Sequence, residues 1–291
     1  MLFLILPRMA ALPSAASRGK SAAVQESGSA RITMAGDALQ QNAAAGAPLA
    51  GRVALVTGAS GGIGSATARA LAARGARLAL ADIRRPQATD ALNLEVDVTD
   101  SAAVRAMVAA TVEALGRLDI LVNVAGTVSM GAAATLAEAE WDRVIAINLK
   151  GSFLCCQAAI PAMRANRHGR IINIGSIIGK NGGNARPWID RAEQDRASNV
   201  AYGVSKAGVH AMTAFLAREL AADGITVNAV APGPVASAMT TNFPAALQAL
   251  IPVGRMGQAA EVAAAIAFLA GPDTGFITGE ILDINGGMWS D

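Results

Sequence analysis

RVALVTGASGGIGSATARALAARG, residues 52–75, decides the fold. Its first seven residues are a short apolar run that stops at Gly58, which reads as a buried strand. Residues 63–75 then read as a helix closed by Gly75. Between them, glycines at 58, 62 and 64 allow a tight turn and close approach of a ligand to the backbone. The start of such a helix offers unpaired N–H groups and the positive end of its dipole, which suits a pyrophosphate. The spacing, G-x-x-x-G-x-G, is neither the G-x-G-x-x-G fingerprint nor a Walker pattern. Its position between strand and helix nevertheless favours dinucleotide binding over a merely tight turn.

The alternation continues outward from this unit. Apolar runs begin at 76 (ARLALAD), 92 (LNLEVDV), 118 (LDILVNVAG), 169 (GRIINIGS), 225 (ITVNAVAPG) and 279 (GEILDING). Helices are expected at 101–116, about 138–166, about 201–222 and about 258–270. Near-continuous apolar strands that alternate with helices predict a parallel sheet covered on both faces. Right-handed crossovers make it a doubly wound α/β sheet in one domain, residues 49–291.

Residues 1–48 read differently. MLFLIL is apolar for six residues only, too short for a membrane span, and 7–50 are rich in Ala, Ser, Gly and Gln. The expectation is a disordered extension, with Met34 an alternative start and a targeting peptide the lesser reading.

The chain is 53% apolar and 3% aromatic, so its core is aliphatic. Its net charge of +2 is matched by the first fifty residues, where Arg8, Arg18, Lys20 and Arg31 face Glu26 and Asp37. The body is therefore neutral, and no nucleic-acid partner is expected. Cys155 and Cys156 are adjacent on a helical stretch and diverge, so no disulfide framework is expected and a reducing, cytoplasmic compartment fits. The two histidines, His168 and His210, read as solvated surface. With so few His and Cys, no metal site is expected.

Asp82 ends the second strand, 18 positions after Gly64. An acidic residue there can accept hydrogen bonds from an adenosine ribose and repel a 2′-phosphate. NAD is thus favoured over NADP, although Arg84 and Arg85 pull the other way. The single tyrosine, Tyr202, lies four residues before Lys206 on a helix, hence on the same face. Two readings fit: a surface Tyr beside a solvated Lys, or a phenol whose pKa a cation lowers for proton exchange.

Taken together, the motifs resemble the short-chain dehydrogenase/reductase family, most closely its 3-oxoacyl-(acyl carrier protein) reductase type, over about residues 50–291. TGASGGIG (57–64), DVTD (97–100), NVAG (123–126), INLKG (147–151), INIGSIIG (172–179), YGVSK (202–206), APGPV (231–235) and GFITGEILDINGG (275–287) carry the resemblance. It implies an NAD(P)-dependent oxidoreductase that interconverts a secondary alcohol and a ketone. Tyr202 is then the acid/base, Lys206 lowers its pKa and holds the nicotinamide ribose, Ser176 bonds the substrate oxygen, and Asn148 holds a water that links Lys206 to solvent. The implied cofactor residues are Gly58, Ser60, Gly61, Gly62, Ile63 and Gly64 in the first turn, then Asp82. Asp97 and Val98 follow, with Asn123, Ala125 and Gly126 after the fourth strand. Tyr202, Lys206, Pro232, Gly233 and Val235 complete the set. Family members commonly pair through the helices at 138–166 and 201–222 and the last strand, so a homotetramer is expected.

Two departures stand out. Val124 replaces a usual Asn, and Ser176 and Tyr202 are 26 positions apart, about twice the family's separation. The extra residues, 184–198, read either as a flap with Trp188 and Ile189 at the pocket mouth and its charged residues solvated, or as a solvated loop. A flap would sit poorly with a plain acyl-carrier-protein substrate. Rival readings of the whole chain are a sugar epimerase or dehydratase sharing the Tyr/Lys pair, and a non-catalytic dinucleotide sensor.

Overall fold

The computed structural model describes residues 46–183, 190–237, 240 and 244–290. The expectation for residues 1–45 lies outside them, as do Trp188 and Ile189.

The opening stretch folds as read. β1 (Val53–Thr57) is buried along its whole length and feeds α1 (Gly62–Ala72). β2 (Arg77–Asp82), β3 (Ala91–Glu95), α2 (Ser101–Leu115) and β4 (Ile120–Asn123) follow. Asp100 caps α2 by accepting the N–H groups of Ala102 and Ala103, and Gly116 ends it at φ 79°. Next come α3 (Glu138–Ile145), α4 (Ser152–Asn166), β5 (Gly169–Ile174) and the short α5 (Ile178–Asn181) and α6 (Arg191–Ala197). The chain closes with α7 (Val200–Leu220), β6 (Ile225–Pro232), α8 (Ala245–Gln248), α9 (Ala259–Leu269) and β7 (Ile281–Ile284).

The seven strands form one sheet in the order β3-β2-β1-β4-β5-β6-β7, with every pairing parallel. Alternate strand residues point to opposite faces, and each face carries its own apolar layer. Leu55, Leu94, Leu121 and Ile171 pack with Met107, Cys155, Met163 and Leu216 of the helices on one side. Val56, Leu80, Val122 and Ile172 pack with Leu71 of α1 and Ile266 of α9 on the other. Each large aliphatic side chain so buried contributes about 1.5–3 kcal/mol. Leu49, ahead of β1, joins the second layer, and its N–H donates to the Arg74 carbonyl at 2.8 Å.

The expected long helix over 138–166 forms, with one irregular turn inside it. Ala146–Gly151 is a π-helical turn between α3 and α4. Such turns add one residue to the helical ladder and re-aim a side chain, here that of the fully buried Asn148. Glu138–Asn166 has the length and mean hydropathy, 1.4, of a membrane span, but Val144, Cys155, Cys156, Ala159 and Met163 bury its inner face in the fold. Cys155 and Cys156 are both free thiols.

Candidate active site

The strand order reverses between β1 and β4, and ligands of open α/β sheets bind at such a switch, beyond the carboxyl ends of the strands. A cleft of about 840 Å³ opens there.

Backbone forms one wall. The Thr57 hydroxyl accepts the N–H groups of Val124 and Ala125 at 3.2 and 3.3 Å, which stitches the turn after β1 to the turn after β4. Gly58 sits at φ 64°, and a Cβ there would lie 2.6 Å from the Ala125 nitrogen. A Cβ at Gly64 would collide with the Gly58 carbonyl oxygen. Gly62 is different, because its Cβ direction meets nothing within 4 Å. Gly58 and Gly64 thus serve packing, whereas Gly62 keeps the cleft open. Gly61 caps α1 without a side-chain hydrogen bond, and the first turn holds no acidic residue. Its N–H groups therefore face the cleft as an anion site. This cradle and helix end fit a dinucleotide pyrophosphate.

Asp82 accepts the Ser60 N–H at 2.9 Å, so one carboxylate oxygen already orders the glycine turn. The described lining includes Asp82 and Ile83 but neither Arg84 nor Arg85. Asp97 accepts both the N–H and the hydroxyl of Thr99 at 2.8 Å. Gly58, Gly61, Gly62, Ile63, Gly64, Asp97, Val98, Ala125, Gly126, Ser176, Tyr202, Pro232, Gly233 and Val235 also line the cleft. Asn123, Asn148 and Lys206 are buried behind this lining, and Ser60 is exposed outside it. The Asn123 amide points into the sheet, where it donates to Asn173 at 2.9 Å.

Side chains form the other wall. Ser176 follows β5, and Tyr202 and Lys206 rise from the first turns of α7. The Ser176 hydroxyl and the Tyr202 phenol both line the cleft, close enough for the serine to favour the ionised phenol. The Lys206 ammonium lies 5.8 Å from the Tyr202 ring centroid and donates to the Ile174 carbonyl at 2.7 Å. A donor pair, Ser and Tyr, thus converges on one point of the cleft with a buried cation beneath it. That arrangement can bind one oxygen and exchange its proton.

Known proteins agree with this geometry. The profile of the family described as "Enoyl-(Acyl carrier protein) reductase" matches residues 58–289. The chain belongs to the short-chain dehydrogenase/reductase family. The (2S)-[(R)-hydroxy(phenyl)methyl]succinyl-CoA dehydrogenase subunit BbsD of Thauera aromatica is 41% identical over 251 residues, covering 81% of this chain and 96% of its own. The 3-oxoacyl-[acyl-carrier-protein] reductase FabG of Escherichia coli (strain K12) is 40% identical over 253 residues, covering 82% and 98%. The crystal structure of gox2181 superposes with a TM-score of 0.74 at 35% identity, covering 82% of this chain and 96% of that one. The protein is accordingly a nicotinamide-dependent oxidoreductase of the alcohol/ketone class.

Within this short-chain dehydrogenase/reductase, several expectations need correction. Burial raises the Tyr202 phenol above its ordinary value of 10.0, with the Ser176 hydrogen bond opposing it. Lys206, expected to lower it, is not among the groups that do; the ammonium donates to Ile174 and is itself pushed down to about 8 by burial. Desolvation outweighs the pairing. The Asn148 amide is held by its neighbours. It exchanges hydrogen bonds with the Thr127 backbone at 2.7 and 2.9 Å and donates to Ser205 at 2.9 Å.

Neither histidine is the solvated residue expected. His168 is pushed down to about 4 by burial, then by the nearby Arg170 and Arg52. His210 lies under the Ser176 loop, where Nε2 accepts the Ser176 N–H at 3.3 Å. Of the 184–198 segment, Asp190, Arg191 and Arg196 are exposed, and Arg191 pairs with Asp195 at 2.9 Å in α6. The expected flap residues Trp188 and Ile189 fall outside the described residues.

The sequence reading also missed Val128, Met130, Arg143 and Thr240 in the cleft lining. Residues 128 and 130 were findable, since they directly follow the strand at the switch point. Arg143 was not. It reaches the lining by donating to the Thr127 hydroxyl at 3.0 Å while paired with Glu140 at 2.7 Å.

Proposed function

We propose that the enzyme binds NAD in preference to NADP and acts on a 3-hydroxy- or 3-oxoacyl thioester. Tyr202 exchanges the proton of the substrate oxygen, and Ser176 donates a hydrogen bond to that oxygen and steadies its developing charge. Lys206, behind the phenol, is held ready to bond a ribose hydroxyl. When bound, the nicotinamide supplies or accepts the hydride. The observation that carries this reading is the convergence of the Ser176 and Tyr202 hydroxyls at the cleft floor.

NAD preference is supported by Asp82 at the end of β2, with Arg84 and Arg85 outside the described lining. A 2′-phosphate there would meet a carboxylate. The thioester class is supported by the two named relatives, whose substrates carry their oxygen on the carbon β to an acyl-thioester carbonyl. Val128, Met130 and Ile174 add an apolar wall. We further assign the enzyme to the cytoplasm, where its two free buried thiols are stable. Phe153, Val204 and Phe215 are exposed on α4 and α7, and Phe276 is exposed ahead of β7. Such apolar helix faces support assembly into a homotetramer.

The test is turnover of acetoacetyl-CoA with NADH and NADPH, and of 3-hydroxybutyryl-CoA with NAD and NADP, beside light scattering at micromolar concentration. Turnover with NADH in excess of NADPH at tetramer mass is expected. Failure on both thioesters, with turnover of other ketones, would retire the substrate class.

A further inference from the structure

We propose that His210 is a positioning residue for the Ser176 hydroxyl, holding it through the Ser176 backbone N–H. This rests on the reading of Ser176 and Tyr202 as the oxygen-binding pair.

The loop after β5 must present a hydroxyl at the cleft floor, and its backbone N–H groups are all accounted for. Gly175 N–H donates to the Val230 carbonyl at 2.8 Å, and Ile177 N–H to the Pro232 carbonyl at 3.0 Å. Ile178 N–H donates to the Ser176 hydroxyl at 3.2 Å, and Gly179 N–H to the Ser176 carbonyl at 3.0 Å. The remaining donor is that of Ser176 itself, and it goes to His210 Nε2 at 3.3 Å. β6 thus holds the loop on one side through Val230 and Pro232, and α7 holds it on the other through one imidazole.

The loop is shaped around that ring. A Cβ at Gly175 would overlap His210 Nε2; one at Gly179 would lie 2.8 Å from the backbone of Lys206 and Ala207 and 3.0 Å from His210 Cε1. Gly175 therefore gives the imidazole its room, and Gly179 lets the loop close against the α7 backbone beside it. Tyr202, Lys206 and His210 are spaced i, i+4, i+8 and form one stripe of α7. The phenol lies beside Ser176 in the cleft lining, the ammonium meets the Ile174 carbonyl, and the imidazole meets the Ser176 N–H. One helix face thus fixes β5, the serine and the acid/base relative to one another. An Nε2 that accepts a hydrogen bond has its lone pair free, so the ring is the neutral tautomer with the proton on Nδ1.

Tyr202 is the single tyrosine of the chain, which gives a direct readout. Tyrosine labelled with carbon-13 at Cζ reports the hydrogen bonding of this one phenol without any need for turnover. Ser176→Ala should displace the resonance. His210→Leu, which keeps bulk and removes the acceptor, should displace it in the same direction. His210→Gln, whose Oε1 replaces Nε2, should return it most of the way. Turnover should follow, falling about 10-fold in kcat for His210→Leu, with cofactor affinity retained and recovery in His210→Gln. If His210→Leu does not fold, His210→Asn, too short to reach the Ser176 N–H, carries the same expectations. The proposal is overturned if the removal variant leaves the resonance at the wild-type position while Ser176→Ala moves it. It is equally overturned if removal and Gln variants shift alike. Failure of the underlying reading looks different: Tyr202→Phe would then keep its turnover, whatever the resonance does.

Discussion

The two walls of the cleft are built from different material. On the β1–α1 side, recognition rests on backbone: Gly58, Gly62, Gly64 and an uncapped helix start. On the β5–α7 side it rests on side chains drawn from separate elements, Ser176, Tyr202, Lys206 and His210. A backbone site is encoded locally, because the chain must place glycine where a Cβ has no room. A side-chain site is encoded by the fold, because its members meet only after the sheet has formed. The first wall has no room for added atoms at Gly58 and Gly64, and the second depends on atoms it cannot lose.

The sharpest way to break this contrast is to remove one atom from the second wall. Tyr202→Phe deletes the exchangeable proton and keeps the ring. Turnover should fall at least ~100-fold, the low end for general acid–base catalysis, with cofactor affinity largely kept. Steady-state kinetics beside a fluorescence titration of NADH measure both. Near-normal turnover in the folded variant would remove Tyr202 from its role.

Adding one carbon to the first wall should cost less, and should divide the glycines into two kinds. Gly64→Ala forces a methyl against the Gly58 carbonyl, so both the melting temperature and cofactor affinity should drop. Overpacking of this kind costs about 1–3 kcal/mol. Gly62→Ala has open space, so its melting temperature should hold while cofactor affinity falls roughly 10-fold, as expected where a ligand needs the backbone. Equal thermal losses in both would mean that Gly62, too, serves packing alone.

Legibility in the sequence follows the same division. The strands, the long helices and the glycine turn were readable from 52–75 outward, because each depends on neighbours in the chain. The Tyr202–Lys206 spacing was readable, since i and i+4 share a helix face. Its electrostatics were not. Whether a cation lowers a phenol depends on burial and on competing acceptors, here Ile174. His210 read as surface because nothing local reveals that Gly175, over thirty positions earlier, leaves room for its ring. The π-helical turn at Asn148 was hidden for a related reason. AINLKG has ordinary helical composition, and the amide's contacts with Thr127 and Ser205 arise only in the fold.

Asp82 belongs to both walls' logic, being a side chain that orders the glycine turn through Ser60. Asp82→Ala should raise kcat/KM with NADP relative to NAD by about 10-fold, from loss of repulsion at the 2′-phosphate. It should also weaken binding of both cofactors, since the Ser60 N–H loses its acceptor. A change in the ratio with no common loss would separate charge from loop order. An unchanged ratio would pass cofactor choice to Arg84 or Arg85.

The smallest expected effect concerns Lys206 and acts on stability. Burial pushes its ammonium down to about 8 from 10.5, so the folded protein releases this proton earlier than the unfolded chain does. Below the folded value both states hold the proton, and the folded state carries the full cost of a buried charge. Between 8 and 10.5 the unfolded chain binds more protons, so stability contributed by this site rises with pH. The sign is opposite to that of a lysine held by a carboxylate. From about pH 7.5 to about pH 9 the gain should be about 1 kcal/mol. Other groups titrate in the same window, so the measurement is a difference. Urea unfolding of wild type and Lys206→Met is compared at both pH values, and only the wild type should carry the additional rise. Parallel behaviour of the two proteins would mean that the ammonium is better compensated in the folded state than its bond to Ile174 provides, and the second wall would then be less desolvated than its geometry implies.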